Sequence, residues 1–235
     1  MRVELYQIER IYKGRKVVDI ESLTFESGKI YAVVGPNGSG KTTMLRILAG
    51  QDREYKGEIL YNGASAIGSS HIGYMPQSSY MFDYSVIGNV MLGLAKKNTE
   101  GEKVEALRRA ERALENVGMA GFLNVNAKTL SGGEAQRVAL ARTLALEREL
   151  VLLDEPASAT DLSGVELVEN YIRSVNRECG STIVFTTHNP SQAAHIADEV
   201  IMMYNGRVLE MGSPSMVFES PRCQETRDFL RNWRI

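Results

Sequence analysis

Two glycine-rich segments and one acidic pair hold the residues that can do chemistry. The first segment reads Gly35-Pro36-Asn37-Gly38-Ser39-Gly40-Lys41-Thr42-Thr43. It fits the P-loop pattern G-x-x-x-x-G-K-[ST]. Glycines in such a loop let backbone N–H groups turn inward and wrap phosphate oxygens. A helix that starts at the loop's end points its positive pole at the same anion. Lys41 then reaches the β- and γ-phosphates, and the Thr42 hydroxyl is a ligand for Mg2+. The acidic pair, Asp154-Glu155, ends the apolar run Leu150-Val151-Leu152-Leu153. A carboxylate at a strand end beside a phosphate loop is placed to hold Mg2+ through water, which assigns Asp154. Glu155 is the candidate base that polarises an attacking water. ATP and Mg2+ are the ligands these residues predict.

The second segment is Leu130-Ser131-Gly132-Gly133-Glu134. Ser131 and Glu134 have the spacing of a capping box, so a helix starts here. Its glycines permit close backbone approach, and a helix N-terminus attracts anions. The P-loop already takes the phosphates of one nucleotide. The second anion site therefore needs another ligand, and the economical one is the γ-phosphate of ATP bound by a second copy of the chain. A simple helix cap is compatible with this.

Several elements must position these groups. Residues 2–11 alternate apolar and polar, the period of a strand. Ile30–Val34 is a short apolar run entering the P-loop and reads as a buried parallel strand. Thr42–Ala49 has helical spacing and stops at Gly50, a suitable residue just past a helix end. Gly57–Tyr61, closed by Asn62-Gly63, reads as a hairpin strand. Glu102–Val117 predicts an amphipathic helix with Val104, Leu107, Leu114 and Val117 on its apolar face. A second helix is expected from Ser131 to about Leu146, and residues 81–146 read as a helical lobe inserted into a nucleotide-binding core. Leu150–Leu153, Thr182–Thr186 and Val200–Tyr204 follow as core strands. Asn205-Gly206, between Tyr204 and Arg207, is a strong hairpin signal.

Bulk properties narrow the function. The 235 residues suit one α/β domain carrying an insert, and the 43% hydrophobic content suffices for a sizeable core. A net charge of −2 gives no basic field for nucleic acid. The two cysteines, Cys179 and Cys223, have no metal-ligand spacing and read as reduced thiols of a cytosolic protein. The N-terminus enters a strand directly, with no signal peptide. No apolar run approaches the about 18 residues of a membrane span, so any spans belong to another chain. The P-loop occurs once, which excludes a tandem ATPase.

With both glycine-rich segments and Asp154-Glu155, the chain resembles the ABC-type ATPase family nearly end to end. The resemblance implies an α/β P-loop NTPase fold with a mixed, largely parallel sheet, an antiparallel N-terminal β part and the helical lobe. It implies that Gln77 in Tyr74-Met75-Pro76-Gln77 contacts Mg2+ and links the ATP site to a membrane partner. His188 in Thr186-Thr187-His188-Asn189 matches the histidine that contacts the γ-phosphate, and Tyr12 stands where an aromatic stacks on adenine. Ser158-Ala159-Thr160-Asp161 resembles the loop that crosses the dimer, with Thr160 where the family has Leu.

The implied assembly is a homodimer. Each ATP lies between Lys41 and Thr42 of one subunit and Ser131 and Gly133 of the other. Two transmembrane permease subunits complete it, and the chain sits on the cytoplasmic face of the membrane. Tyr80, Met81, Phe82 and Tyr84 fall near the groove that receives the permease. His188-Asn189-Pro190-Ser191-Gln192-Ala193, with Phe218, Pro221, Thr226 and Phe229-Leu230, is similar to ATPases of tungstate and phosphate importers. The lack of an appended C-terminal regulatory domain favours the tungstate type. An importer also implies an extracytoplasmic solute-binding protein. An exporter ATPase and a soluble ABC ATPase stay open as alternatives. Soluble repair-type proteins need a long coiled coil, and no sustained heptads occur here. A nucleotide kinase would lack the second glycine-rich helix start.

Overall fold

The computed structural model describes residues 1–66, 68–94 and 99–231. β1 (Val3–Tyr12) and β2 (Arg15–Phe25) form an antiparallel hairpin turned at Lys13-Gly14, both at positive φ. The sequence reading assigned no strand to Arg15–Phe25. Its buried residues, Val18, Ile20, Leu23 and Phe25, slip phase between Ile20 and Leu23, which hides the period of two. β3 (Ile30–Val34) enters the P-loop and α1 (Lys41–Leu48) leaves it. β4 (Lys56–Tyr61) returns to β1, giving a three-stranded antiparallel sheet of order β2-β1-β4.

Asn62-Gly63 closes β4 as the spacing predicts, but no hairpin partner strand follows it among the described residues. Both residues have positive φ, and Tyr61 and Ala64 exchange two backbone hydrogen bonds across them. The reversal is therefore real, but the pairing ends at that bridge, and the partner of β4 is β1. Ala64-Ser65-Ala66 offers no alternating apolar side chains to extend a ladder.

β5 (Ile72–Met75) precedes three helices, α2 (Val86–Leu94), α3 (Glu100–Asn116) and α4 (Gly132–Leu144). β6 (Leu150–Asp154), α5 (Leu162–Cys179), β7 (Thr182–Thr187), α6 (Pro190–Ile196) and β8 (Glu199–Tyr204) follow. β9 (Arg207–Gly212), α7 (Pro214–Glu219) and α8 (Gln224–Arg231) end the chain's described part. The main sheet has the order β5-β6-β7-β3-β8-β9. It is parallel except for β9, which pairs antiparallel with β8 through the Asn205-Gly206 turn.

The uniform apolar runs of the central strands are explained by what covers them. Ile30, Ala32 and Val34 of β3 join one buried cluster with the helices α2–α6. Tyr31 and Val33 join the other, with α1 and the antiparallel sheet. β6, β7 and β8 divide between the clusters in the same alternating way. Each fully buried Val, Leu or Ile contributes about 1.5–3 kcal/mol relative to exposure. A sheet packed on both faces has no room for polar groups except at its strand ends.

The apolar face of α3 matches the expected one in part: Leu114 and Val117 are fully buried. Val104 and Leu107 are 45% and 42% exposed, while Ala106, Ala110, Ala113 and Leu114 are buried. Small side chains on the inner face let α3 pack closely against α2 and α4. Ala110→Leu should therefore lower unfolding free energy by about 1–3 kcal/mol through overpacking. Leu107→Ala should stay within about 0.5 kcal/mol of the parent. Urea titration of both variants checks this, and the reverse ranking would restore the first assignment.

Candidate nucleotide site

The site lies where neighbouring parallel strands end. β5, β6, β7 and β3 are adjacent in that order. The segments leaving their C-terminal ends carry, in turn, Gln77, Asp154-Glu155, His188 and the P-loop. This crevice beyond the carboxyl ends of the strands is the usual ligand position in open α/β sheets.

Residues 35–40 form the loop between β3 and α1. A Cβ on Gly35 would fall 2.1 Å from the Met203 carbonyl oxygen, and φ there is +149°, so β8 packs directly on the loop backbone. Pro36 is half-buried and Asn37, Gly38 and Thr42 are exposed, with Thr43 half-buried behind them. Ser39 is buried, its Oγ has no hydrogen-bond partner among the described residues, and its carbonyl accepts from Gly206 N. Lys41 is buried as well. Its Nζ donates to the carbonyls of Gly35 at 2.8 Å and Pro36 at 3.1 Å. Burial lowers the Lys41 pKa, and the charges of Glu155 and Asp154 act against that shift.

Asp154 is 1% exposed at the end of β6. Its Oδ1 accepts from the Thr186 hydroxyl at 2.6 Å. Its Oδ2 is a buried oxygen with no hydrogen-bond partner among the described residues. Burial raises the Asp154 pKa, while the Thr186 hydroxyl, the nearby Thr42 hydroxyl, which makes no hydrogen bond of ordinary geometry to it, and the charge of Lys41 pull it down. Glu155 takes up the left-handed backbone region, φ +50°. Its N–H donates to Thr186 Oγ1 at 2.9 Å, and its carbonyl accepts from Gln136 Nε2 at 2.8 Å. Gln77 Nε2 donates to Glu155 Oε2 at 3.0 Å, and His188 Nδ1 lies 3.6 Å from the same oxygen. The structure thus gathers Gln77 and His188 on Glu155, with Asp154 and Glu155 close enough to Lys41 to act on its charge.

Other predicted residues sit elsewhere. Ser131 is the N-cap of α4 in a reciprocal capping box with Glu134. Ser131 N and Oγ donate to Glu134 Oε2 at 2.8 and 2.6 Å, which lowers the Glu134 pKa. Gly132 is exposed. A Cβ on Gly133 would meet the Ala159 carbonyl oxygen at 2.6 Å, so this helix start packs against the loop after Glu155. Asp161 caps α5, accepting from Gly164 N at 2.9 Å and Ser163 Oγ at 3.2 Å. Together with Glu155, His188 and Gln192 it lines a cavity of about 380 Å³. Tyr12 donates its hydroxyl to Asp52, and the Arg10 guanidinium covers its ring at 4.2 Å from the centroid.

Sequence reasoning missed Thr186 and Gln136. Thr186 interrupts the apolar run Ile183-Val184-Phe185, a signal that a polar atom is needed at that depth. Gln136 lies on the buried face of α4 beside Val138 and Ala139. Its amide also bonds Ser158 Oγ and accepts from Ala159 N at 2.8 Å. The loop after β5 is fixed from behind by Asn89, fully buried on α2. Its side chain bonds the N–H and C=O of Phe82 and the carbonyl of Ser85. Arg142 on α4 donates to the Tyr80 carbonyl at 3.0 Å. Tyr80, Phe82 and Tyr84 are left exposed.

Known proteins resemble this chain in sequence and in fold. Residues 18–158 match the family described as ABC transporter. The tungstate uptake system ATP-binding protein TupC of Peptoclostridium acidaminophilum is 36% identical over 211 residues, 89% of this chain and 98% of that protein. The sulfate/thiosulfate import ATP-binding protein CysA of Bradyrhizobium diazoefficiens is 35% identical over 98% of this chain and 69% of its own length. Among solved structures, the dimeric post-hydrolysis state of the ATP-binding cassette MJ0796, bound to ADP and Pi, superposes with a TM-score of 0.82. It is 27% identical and covers 90% of this chain and 98% of that one. The P-loop, the carboxylates at the end of β6 and these likenesses agree: the chain belongs to the ABC transporter family as one of its ATP-hydrolysing cassettes.

Proposed function

We propose that this chain is the ATP-hydrolysing subunit of an ABC importer for a small oxyanion, with tungstate the leading candidate. The observation that carries the catalytic part is the gathering of Gln77 and His188 on Glu155, with Asp154 and Glu155 close enough to the P-loop lysine to act on its charge. The names of the tungstate and sulfate relatives support the cargo class.

Phosphoryl transfer to water needs positioning and charge stabilisation. The P-loop N–H groups and Lys41 bind the β- and γ-phosphates, with Lys41 exchanging the Gly35 and Pro36 carbonyls for phosphate oxygens. Thr42, Asp154 and Gln77 would hold Mg2+. The fit rests on the buried, unpartnered Asp154 Oδ2 and on an all-oxygen donor set, which suits a hard cation. Among the described residues no cluster of three or more His, Cys, Asp or Glu forms a metal cage. Phosphate oxygens and water would supply the remaining ligands, as Mg2+ prefers. When bound, Mg2+ neutralises charge on the phosphates. Glu155 polarises the attacking water, while Gln77 and His188 orient its carboxylate. Tyr12 stacks on the adenine through the ring face that Arg10 leaves uncovered.

A second copy closes the site with Ser131, Gly132 and Gly133 on the γ-phosphate, and Asp161 borders the dimer-crossing loop. The dimeric cassettes among its structural likenesses support the homodimer. Closure transmits work because ATP binds the closed pair more tightly than the open one. No described helix is long and apolar enough to cross a membrane, so two permease subunits supply the spans. Tyr80, Phe82 and Tyr84, exposed by 62%, 43% and 56%, suit docking to them. The chain then sits peripherally on the cytoplasmic face, with a solute-binding protein delivering cargo on the other side.

Glu155→Gln should bind ATP normally, lower turnover by about 10²–10⁴-fold and accumulate an ATP-dependent dimer in light scattering. Near-normal turnover in this variant would refute the base assignment. Ser131→Arg should bind ATP yet stay monomeric, and an ATP-dependent dimer in that variant counts against the sandwich. Tagged Glu155→Gln protein, pulled from solubilised membranes with ATP, should bring down a permease encoded beside a solute-binding protein. A permease without such a neighbour points to export, and soluble partners alone would sink the transport reading.

A further inference from the structure

Thr186 joins the two carboxylate residues of the site, and nothing in the mechanism above uses it. It is fully buried on β7, in register with Asp154 on β6. Its single hydroxyl bridges Asp154 Oδ1 and Glu155 N. The direction of both bonds is fixed by chemistry. The Glu155 N–H can only donate, so the hydroxyl oxygen accepts there. The hydroxyl proton is then left for Asp154 Oδ1.

Two consequences follow. Holding Oδ1 fixes the rotation of the Asp154 carboxylate and leaves Oδ2 as the oxygen without a hydrogen-bond partner among the described residues. Holding the Glu155 N–H pins one end of a residue at φ +50°, a conformation that a side chain with a Cβ keeps only when its surroundings enforce it. Gln136 holds the other end through the Glu155 carbonyl. With its backbone fixed at both ends, the Glu155 carboxylate is aimed at Gln77 and His188.

We propose that Thr186 is a positioning residue for hydrolysis: one hydroxyl sets both the metal-facing oxygen of Asp154 and the aim of Glu155. The proposal rests on the nucleotide-site reading above. It requires the hydroxyl itself and not the volume of the side chain. Thr186→Val keeps the shape and removes the hydroxyl, and Thr186→Ser keeps the hydroxyl and removes a methyl group.

The test measures kcat, KM and two dissociation constants for ATP, with Mg2+ and with EDTA, on purified full-length protein. For Thr186→Val, kcat should fall at least about tenfold, a larger change than the roughly fivefold rise in KM that follows from weaker Mg2+-dependent binding. The affinity gained by adding Mg2+ should shrink at least about fivefold, while affinity for metal-free ATP stays within about twofold. Thr186→Ser should restore both quantities to within about threefold of the parent. Should the valine variant fail to fold, Thr186→Ala set against Thr186→Ser supplies the same contrast. A valine variant with parental kcat and parental Mg2+ effect overturns the proposal. So does a serine variant that loses as much as the valine or alanine one. Glu155→Gln, run alongside, separates the two readings. If Glu155→Gln keeps its turnover, the catalytic assignment fails, whereas an inactive Glu155→Gln beside a normal Thr186→Val removes Thr186 alone.

Discussion

Burial of the main sheet on both faces governs the rest of the molecule. Helices cover one face, and α1 with the antiparallel sheet covers the other. Along β3, β6, β7 and β8, a polar side chain in mid-strand would lose its water without a replacement. Polar chemistry is therefore pushed to the C-terminal ends of the strands. Parallel pairing then aligns those ends, so residues far apart in sequence meet on one line. Gln77, Glu155 and His188 come together because β5, β6 and β7 are neighbours.

Where polar groups do enter the interior, they are tied to backbone and to each other. Thr186 bridges Asp154 and Glu155, and Gln136 reaches from α4 to the loop that follows them. Asn89 does similar work beneath the loop after β5. Buried amides and hydroxyls of this kind stabilise modestly when satisfied, but cost about 1–3 kcal/mol each when a partner is lost. Their effect here is to make the loops around the phosphate site rigid extensions of the strands and helices. Helix α4 has a further role. It carries the capping box at its start, Gln136 one turn later and Arg142, bound to the Tyr80 carbonyl, near its end. One rigid helix thus links the Ser131 cap, the loop after Asp154 and the exposed aromatic segment.

Residue types that need a special backbone or a special charge were legible without coordinates. The P-loop glycines, the Asn205-Gly206 turn, the Ser131–Glu134 cap and the acidic end of β6 follow from local physics. The uniform apolar runs announced a doubly covered parallel sheet. Three features were not fully legible. The inner face of α3 was only half legible: Leu114 and Val117 are buried as expected, but alanines, which carry little hydrophobic signal, make the close contact in place of Val104 and Leu107. β2 was missed because its alternation slips. The partner of β4 was set by a long-range pairing with β1 that no local turn encodes.

The sequence by itself determined which ligand the chain handles and which side chains are competent to handle it. Those properties depend on residue type and on spacings within a single turn. The tertiary structure decided which of those residues share a site. It placed Gln77 and His188 on Glu155, left Asp154 Oδ2 without a hydrogen-bond partner among the described residues, closed Arg10 and Asp52 around Tyr12, and made Asp161 a helix cap. It also recruited Thr186 and Gln136, which no motif singled out. The reason is physical: the order of strands in a sheet is fixed by the packing of whole faces, and that order is not written in any local stretch of the chain.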